Sequence, residues 1–166
     1  MAVIKKFRIK SFKEQETLLQ LDKISMFYDK RRILNDISFK VNRSEVLGLL
    51  GPNGVGKSTI FKIIMNIEQQ KSGKIYLNGV DCSNFPIHER SSRFNLSYCP
   101  QYGGYFYDLT VLENLTSVAE IHIKEKNLRI SKIDKIIAQF GFDSILNVKA
   151  KLVSGGERRK LAIGMA

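Results

Sequence analysis

Cysteine, proline and histidine are scarce in this 166-residue chain, tryptophan is absent, and acidic residues are outnumbered. The two cysteines, Cys82 and Cys99, have no C-x-x-C spacing and no neighbouring His or Cys. Reduced thiols are therefore the simplest account, as in a cytosolic protein. No apolar run approaches the roughly 18–20 residues of a membrane span. Residues 1–13 are basic but lack the long apolar stretch and cleavage site of a signal peptide. There is no internal repeat and no low-complexity segment. Against 16 Asp and Glu stand 27 Lys and Arg, a net charge of +11. That excess suits contact with phosphates, nucleic acid or an anionic membrane face; spread along the chain, it equally fits a generally basic composition. With 43% hydrophobic residues, the length is enough for one ordinary domain with a core.

The densest local signal is Gly51-Pro52-Asn53-Gly54-Val55-Gly56-Lys57-Ser58-Thr59, a complete G-x-x-x-x-G-K-[ST] phosphate-binding loop. The apolar run 46–50 before it reads as a buried strand and residues 57–66 after it as a helix. Gly51, Gly54 and Gly56 permit positive φ and let backbone N–H groups approach a phosphate. The helix start adds its positive dipole end. Lys57 is expected at the β- and γ-phosphates, Ser58 on Mg²⁺, and Thr59 near the α-phosphate. The alternative is a glycine-rich turn with an incidental lysine, but strand and helix flank the loop in the required order.

Elsewhere, residues 18–27 and 37–41 read as strands joined by a polar connection over 29–36. Ser72-Gly73 reads as a turn, 74–77 as a strand and Asn78-Gly79 as a hairpin turn. Residues 86–91 suit a short helix with Pro86 in its first turn. Residues 94–99 read as a strand ended by Pro100, and 102–107 as an aromatic loop. Thr110 and Glu113 have capping-box spacing, so a helix starts near Val111. Residues 131–140 read as a helix with Ile133, Ile136, Ile137 and Phe140 on one face, stopped by Gly141. Lys5, Lys6, Arg8, Lys10 and Lys13 interleave with apolar residues in the N-terminal arm. That pattern fits a membrane-surface or partner-binding arm, or a frayed solvated tail, the latter being favoured.

A second constellation, Ser154-Gly155-Gly156-Glu157, again has capping-box spacing before a helix carrying Leu161, Ile163 and Met165. Two glycines at a helix start expose N–H groups at a positive end. Local chemistry alone leaves an anion site and an ordinary N-cap equally open.

This segment resembles the signature motif of the ATP-binding cassette (ABC) ATPases. It occurs with the phosphate loop upstream, Gln101 where that family has its Q-loop glutamine, and Tyr28 where it has an adenine-stacking aromatic. The resemblance implies an α/β fold of the P-loop NTPase (ABC ATPase) type. It would have an N-terminal antiparallel β subdomain, a RecA-like core and a helical subdomain. Residues 1–17 would be a basic arm and 18–166 the ABC ATPase domain. Within that domain 18–100 would hold the β subdomain and P-loop, 101–153 the Q-loop and helical subdomain, and 154–166 the signature helix. By the same resemblance, Tyr28 stacks on the adenine of ATP, or Phe27 does if the strand register shifts by one. Residues 51–59 hold the phosphates, Ser58 and Gln101 touch Mg²⁺, and Gln101 senses the attacking water. Ser154, Gly155 and Gly156 act on the nucleotide of a second ABC ATPase subunit in a head-to-tail homodimer. The further implied partners are transmembrane permease subunits at the inner face of the cell membrane, with no specific nucleic acid. The aromatic loop 102–107 would dock on the permease or pack within its own domain.

The family continues beyond its signature helix with an acidic Mg²⁺-binding strand, a catalytic glutamate and a switch histidine. His88, His122, Asp134 and Asp143 all precede Ser154 and cannot take those roles. An incomplete core is therefore expected, with ATP hydrolysis by these 166 residues alone in doubt. Residues 48–54, 86–90, 98–101 and 154–160 together resemble the ATPases of lipopolysaccharide export systems. Leu161-Ala162-Ile163-Gly164 is similar to branched-chain amino-acid importers.

Overall fold

The computed structural model describes residues 3–8 and 16–166, which divide into two compact units, Met1–Leu96 and Ser97–Ala166. In the first unit, β2 (Thr17–Tyr28) and β3 (Arg31–Asn42) form a long antiparallel hairpin closed by the two-residue turn Asp29–Lys30. The expected connection over 29–36 is thus mostly strand. Its polar look comes from residues on the exposed side, while Leu34 between them is buried. The hairpin bulges near Lys23 and Ser25, where Ser25 Oγ bonds both the Asp36 carboxylate and the Asp36 amide at 3.0 Å. β5 (Ser72–Leu77) pairs with β2, and β6 (Val80–Asp81) with β5, giving the order β3-β2-β5-β6. Asn78-Gly79 makes the expected hairpin turn. Ser72-Gly73, expected as a turn, lies inside β5. A Cβ on Gly73 would meet the Asp22 and Lys23 carbonyl oxygens at 2.6 and 2.4 Å, so that residue serves strand contact at the bulge.

β4 (Glu45–Leu50) leads into the phosphate loop and pairs antiparallel with β1 (Val3–Arg8), Val3 opposite Leu50 and Arg8 opposite Glu45. Residues 3–8 are therefore a strand and not the solvated tail their charge suggests, because pairing satisfies backbone groups along one edge of β4. Residues 9–15 of that arm lie outside the described residues. β4 is less buried than its sequence suggests: Val46 and Leu50 are half exposed, and among the described residues its only strand partner is β1. Every described strand pair is antiparallel.

α1 (Lys57–Ile64) packs Ile60, Ile63 and Ile64 into a core with Leu21, Ile24, Leu34, Ile75 and Leu77. α2 (Ile87–Phe94), with Pro86 at its N-cap, buries Arg90 completely. The guanidinium donates to Ile63 O, Ile64 O, Phe85 O and Ser83 O. A cation at the negative end of α1 offsets the orphan carbonyls of its last turn. The strand expected over 94–99 is not formed: Phe94 ends α2, and Asn95 to Pro100 carry no regular structure. A strand needs a hydrogen-bonding neighbour, and none of the described strands pairs with this segment.

The second unit holds α3 (Val111–His122), α4 (Lys126–Phe140) and α5 (Gly155–Met165). They enclose Val111, Leu115, Ile133, Ile137, Phe142 and Leu161. The Thr110–Glu113 capping box forms as its spacing requires, and Gly141 ends α4 at φ 68°. α4 starts five residues earlier than its apolar stripe indicates, because the Glu125 carboxylate caps it by accepting from Asn127 N and Leu128 N. On α5, Leu161 is buried, whereas Ile163 is half exposed. Among the described residues no helix is long and apolar enough to cross a membrane.

Candidate phosphate-binding site

The loop between β4 and α1 adopts the conformation its glycines allow, with φ of 151° at Gly51, 78° at Gly54 and 101° at Gly56. Gly56, at φ 101°, is more crowded than Gly54. A Cβ there would lie 2.7 Å from Leu34 Cδ2 and 3.2 Å from Ile33 O, so the loop is seated directly against β3. Residues 51–54 are exposed, Val55 is half-buried, Ser58 is exposed and Thr59 is buried.

α1 differs from the other helices in how it begins. α3 and α5 have complete capping boxes, α4 is capped by Glu125, and α2 has Glu89 in its first turn. α1 has no side-chain cap and no acidic residue in its first turn. Lys57 Nζ donates to Gly51 O and Pro52 O, each at 2.7 Å, so the ammonium folds over its own loop on neutral carbonyls. A positive helix end and a lysine, neither with a protein carboxylate among the described residues, fit a phosphate group supplied from outside. Among the described residues there is no cluster of three His, Cys, Asp or Glu suited to a metal. The exposed Ser58 hydroxyl, at the second position of α1, is a side-chain oxygen that fits a magnesium ion carried in with a phosphate ligand.

Tyr28 ends β2 in the same unit and is 42% exposed, while Phe27 is half-buried under the Arg32 guanidinium, 5.1 Å from its ring centroid. The Tyr28 hydroxyl donates to Glu68 Oε2, and Glu68 Oε1 accepts from Lys62 Nζ at 2.7 Å. Glu68 and Lys62 carry no motif signal. Their link to Tyr28 spans 40 residues of sequence and emerges only on folding.

The remaining sequence-predicted residues lie in the second unit. Ser154 Oγ accepts from Glu157 N at 3.2 Å, and the Glu157 carboxylate accepts from Ser154 N at 2.7 Å. The Ser154 hydroxyl first, then the Ser154 amide, hold the Glu157 carboxyl below its usual range. Gly155 and Gly156 are exposed. Among the described residues a Cβ on Gly155 would meet nothing within 4 Å, and one on Gly156 only Ser154 Oγ at 4.0 Å. Gln101 is exposed and shares a cavity of about 300 Å³ with Gly155, Arg158, Arg159 and Tyr102. Arg159 Nη1 also donates to Pro100 O. The adjacent aromatic loop is held by the buried Asn114, whose side chain bonds both the Phe106 amide, at 2.6 Å, and its carbonyl, at 3.0 Å. Tyr102, at 84%, is the most exposed of the loop's aromatics.

A P-loop seated between β4 and α1 and a capped glycine-pair helix define a nucleotide-binding type of protein. The ABC transporter family profile matches residues 34–166, and the chain belongs to that family. It is 38% identical over 154 residues to the lipopolysaccharide export system ATP-binding protein LptB of Haemophilus influenzae, covering 90% of this chain and 62% of that protein. It is 38% identical over 139 residues to an uncharacterised ABC transporter ATP-binding protein of Rhizobium meliloti, covering 84% and 51%. The LptB of Escherichia coli is 34% identical over 84% of this chain and 58% of its own length. The chain thus spans about half to three-fifths of these relatives. A nucleotide-free ATP-binding cassette from an ABC transporter superposes with a TM-score of 0.74 at 25% identity, over 90% of this chain and 64% of that one. An ATP-binding cassette in its ADP conformation gives 0.74 at 24%, over 90% and 63%. These neighbours carry the α/β ABC ATPase fold.

Proposed function

We propose that this chain is the nucleotide-binding part of an ABC transporter ATPase that takes Mg²⁺ and ATP at residues 51–59. The observation that carries this reading is the start of α1: open N–H groups without a side-chain cap, beside a lysine resting on carbonyls. Lys57 exchanges those carbonyls for the β- and γ-phosphate oxygens and offsets their charge. The loop amides bind the phosphates, and the exposed Ser58 hydroxyl would hold the metal. Magnesium, when bound, neutralises charge on the β- and γ-oxygens. Tyr28 offers an exposed ring to the base. Gln101 is assigned to the metal and the attacking water on family resemblance.

Ser154, Gly155 and Gly156 are assigned to the nucleotide of a second copy. The supporting observation is that Gly155 is exposed with nothing among the described residues within 4 Å of a Cβ there, which leaves its face open to a second copy. Nucleotide-driven pairing would move permease subunits at the inner face of the membrane, with the exposed aromatic loop at 102–107 as the docking surface. Lipopolysaccharide is the proposed cargo, supported by the 38% identity to the H. influenzae export protein. The test is calorimetric titration of MgATP into wild type and Lys57→Ala. The variant is expected to lose measurable binding while its circular dichroism and melting temperature stay at wild type. Unchanged affinity would refute the site. Co-purification with permease subunits and lipopolysaccharide tests the cargo.

A further inference from the structure

We infer that Glu68 is a positioning residue that fixes the Tyr28 ring as the platform for the base, through one carboxylate shared between the Tyr28 hydroxyl and Lys62 of α1. This rests on the nucleotide site proposed above. Each Glu68 oxygen has its own partner: Oε2 accepts from the Tyr28 hydroxyl and Oε1 from Lys62 Nζ at 2.7 Å. The Glu68 amide also donates to the Lys62 carbonyl at 3.3 Å, so backbone and side chain both register Glu68 on α1. The Glu68 side chain is 21% exposed and that of Lys62 42%, so the pair is partly shielded from water. Lys62 first, then the Tyr28 hydroxyl, holds the Glu68 carboxyl below the ordinary 4.5, and it is ionised at neutral pH.

The geometry has a consequence for affinity. A tyrosine at the end of a hairpin strand, beside an exposed turn, turns freely about its side-chain bonds unless its tip is fastened. Fastening the hydroxyl removes that freedom before any ligand arrives, which lowers the ordering cost of stacking. Because α1 begins in the phosphate loop and Lys62 is five residues beyond Lys57, the same carboxylate ties the ring to the helix that carries the phosphate cradle. The hairpin end is braced independently by Arg32 over Phe27 and by the seating of Gly56 against Ile33 and Leu34. Removing Glu68 therefore loosens the ring without unseating the loop.

The experiment compares affinities for MgATP and magnesium tripolyphosphate, which lacks the base, on the full chain. Tyr28→Phe keeps the ring and removes the hydroxyl; Glu68→Ala removes its acceptor. Each is expected to weaken ATP binding about three- to tenfold, the scale of one hydrogen bond, with tripolyphosphate affinity unchanged. The double variant is expected to be no weaker than either single one, since both delete the same contact. Glu68→Gln, which keeps an acceptor oxygen, should lie between wild type and Glu68→Ala. Equal losses for ATP and tripolyphosphate in Glu68→Ala would overturn the proposal, as would ATP affinity at wild type in that variant while Tyr28→Ala binds weakly. ATP affinity unchanged even in Tyr28→Ala would overturn the base site as well.

Discussion

Arg90 Nη1 donates to Ile64 O at 2.7 Å and so closes the far end of the helix that the phosphate loop opens. The guanidinium is fully buried, and all its partners are carbonyl oxygens, from Ile63, Ile64, Ser83 and Phe85. Arg90→Ala leaves those acceptors unpaired and is expected to lower the stability of the first unit by about 2 kcal/mol or more. Arg90→Lys should recover little, since one ammonium lacks the planar fork that reaches four carbonyls. Urea unfolding measures both; a loss well under 1 kcal/mol for Arg90→Ala would contradict the role.

Gly56→Ala should be the most damaging loop substitution. The residue has φ 101°, and the new methyl would meet Leu34 Cδ2 at 2.7 Å and the Ile33 carbonyl at 3.2 Å. Gly54→Ala, with φ 78° and nothing within 4 Å, carries only backbone strain of about 1–2 kcal/mol. The expected result is a larger fall in melting temperature for Gly56→Ala, together with loss of ATP binding. Equal effects from the two would show that the contact with β3 is not what holds the loop.

Gly155→Ala should separate stability from function. None of the described residues opposes the methyl, and alanine is favoured over glycine in a helix by about 0.5–1 kcal/mol. The variant is expected to melt at or above the wild-type temperature while losing ATP-dependent pairing, read by light scattering with and without MgATP. A fall in melting temperature, or unimpaired pairing, would contradict the assignment of this face to a second copy.

The start of α5 should respond to acid. The Ser154 hydroxyl and then the Ser154 amide hold the Glu157 carboxyl below its ordinary value of 4.5. A folded value below the unfolded one means the cap's contribution is complete above 4.5 and is lost as pH falls through the depressed value. Carboxyl carbon NMR should give a Glu157 midpoint below 4.5, moving back toward it in Ser154→Ala. A midpoint at or above 4.5 in wild type would show that the capping box does not form.

What was legible in the sequence was local. The glycine turn between β4 and α1 and both capping boxes are written within a few consecutive residues; the glycines take positive φ and the two boxes form as their spacing requires. Contacts between distant residues were not legible. Arg90 sits in a polar stretch of a short expected helix, yet it is buried because the C-terminal end of α1 has carbonyls to satisfy. Glu68 has no signal until folding brings Tyr28 to it. The apolar alternation of 94–99 reads as a strand, but alternation makes a strand only where another strand lies alongside. The same rule turns the basic arm at 3–8 into a strand, because β4 lies there with an edge to pair.

The most direct test of the central claim is the amide NMR spectrum of the nitrogen-labelled chain during titration with MgATP. Binding at the proposed cradle predicts that the largest shifts fall on the amides of residues 54–59, with a further set at Tyr28. If the spectrum saturates with ATP while those amides stay in place, the phosphate-site account is contradicted.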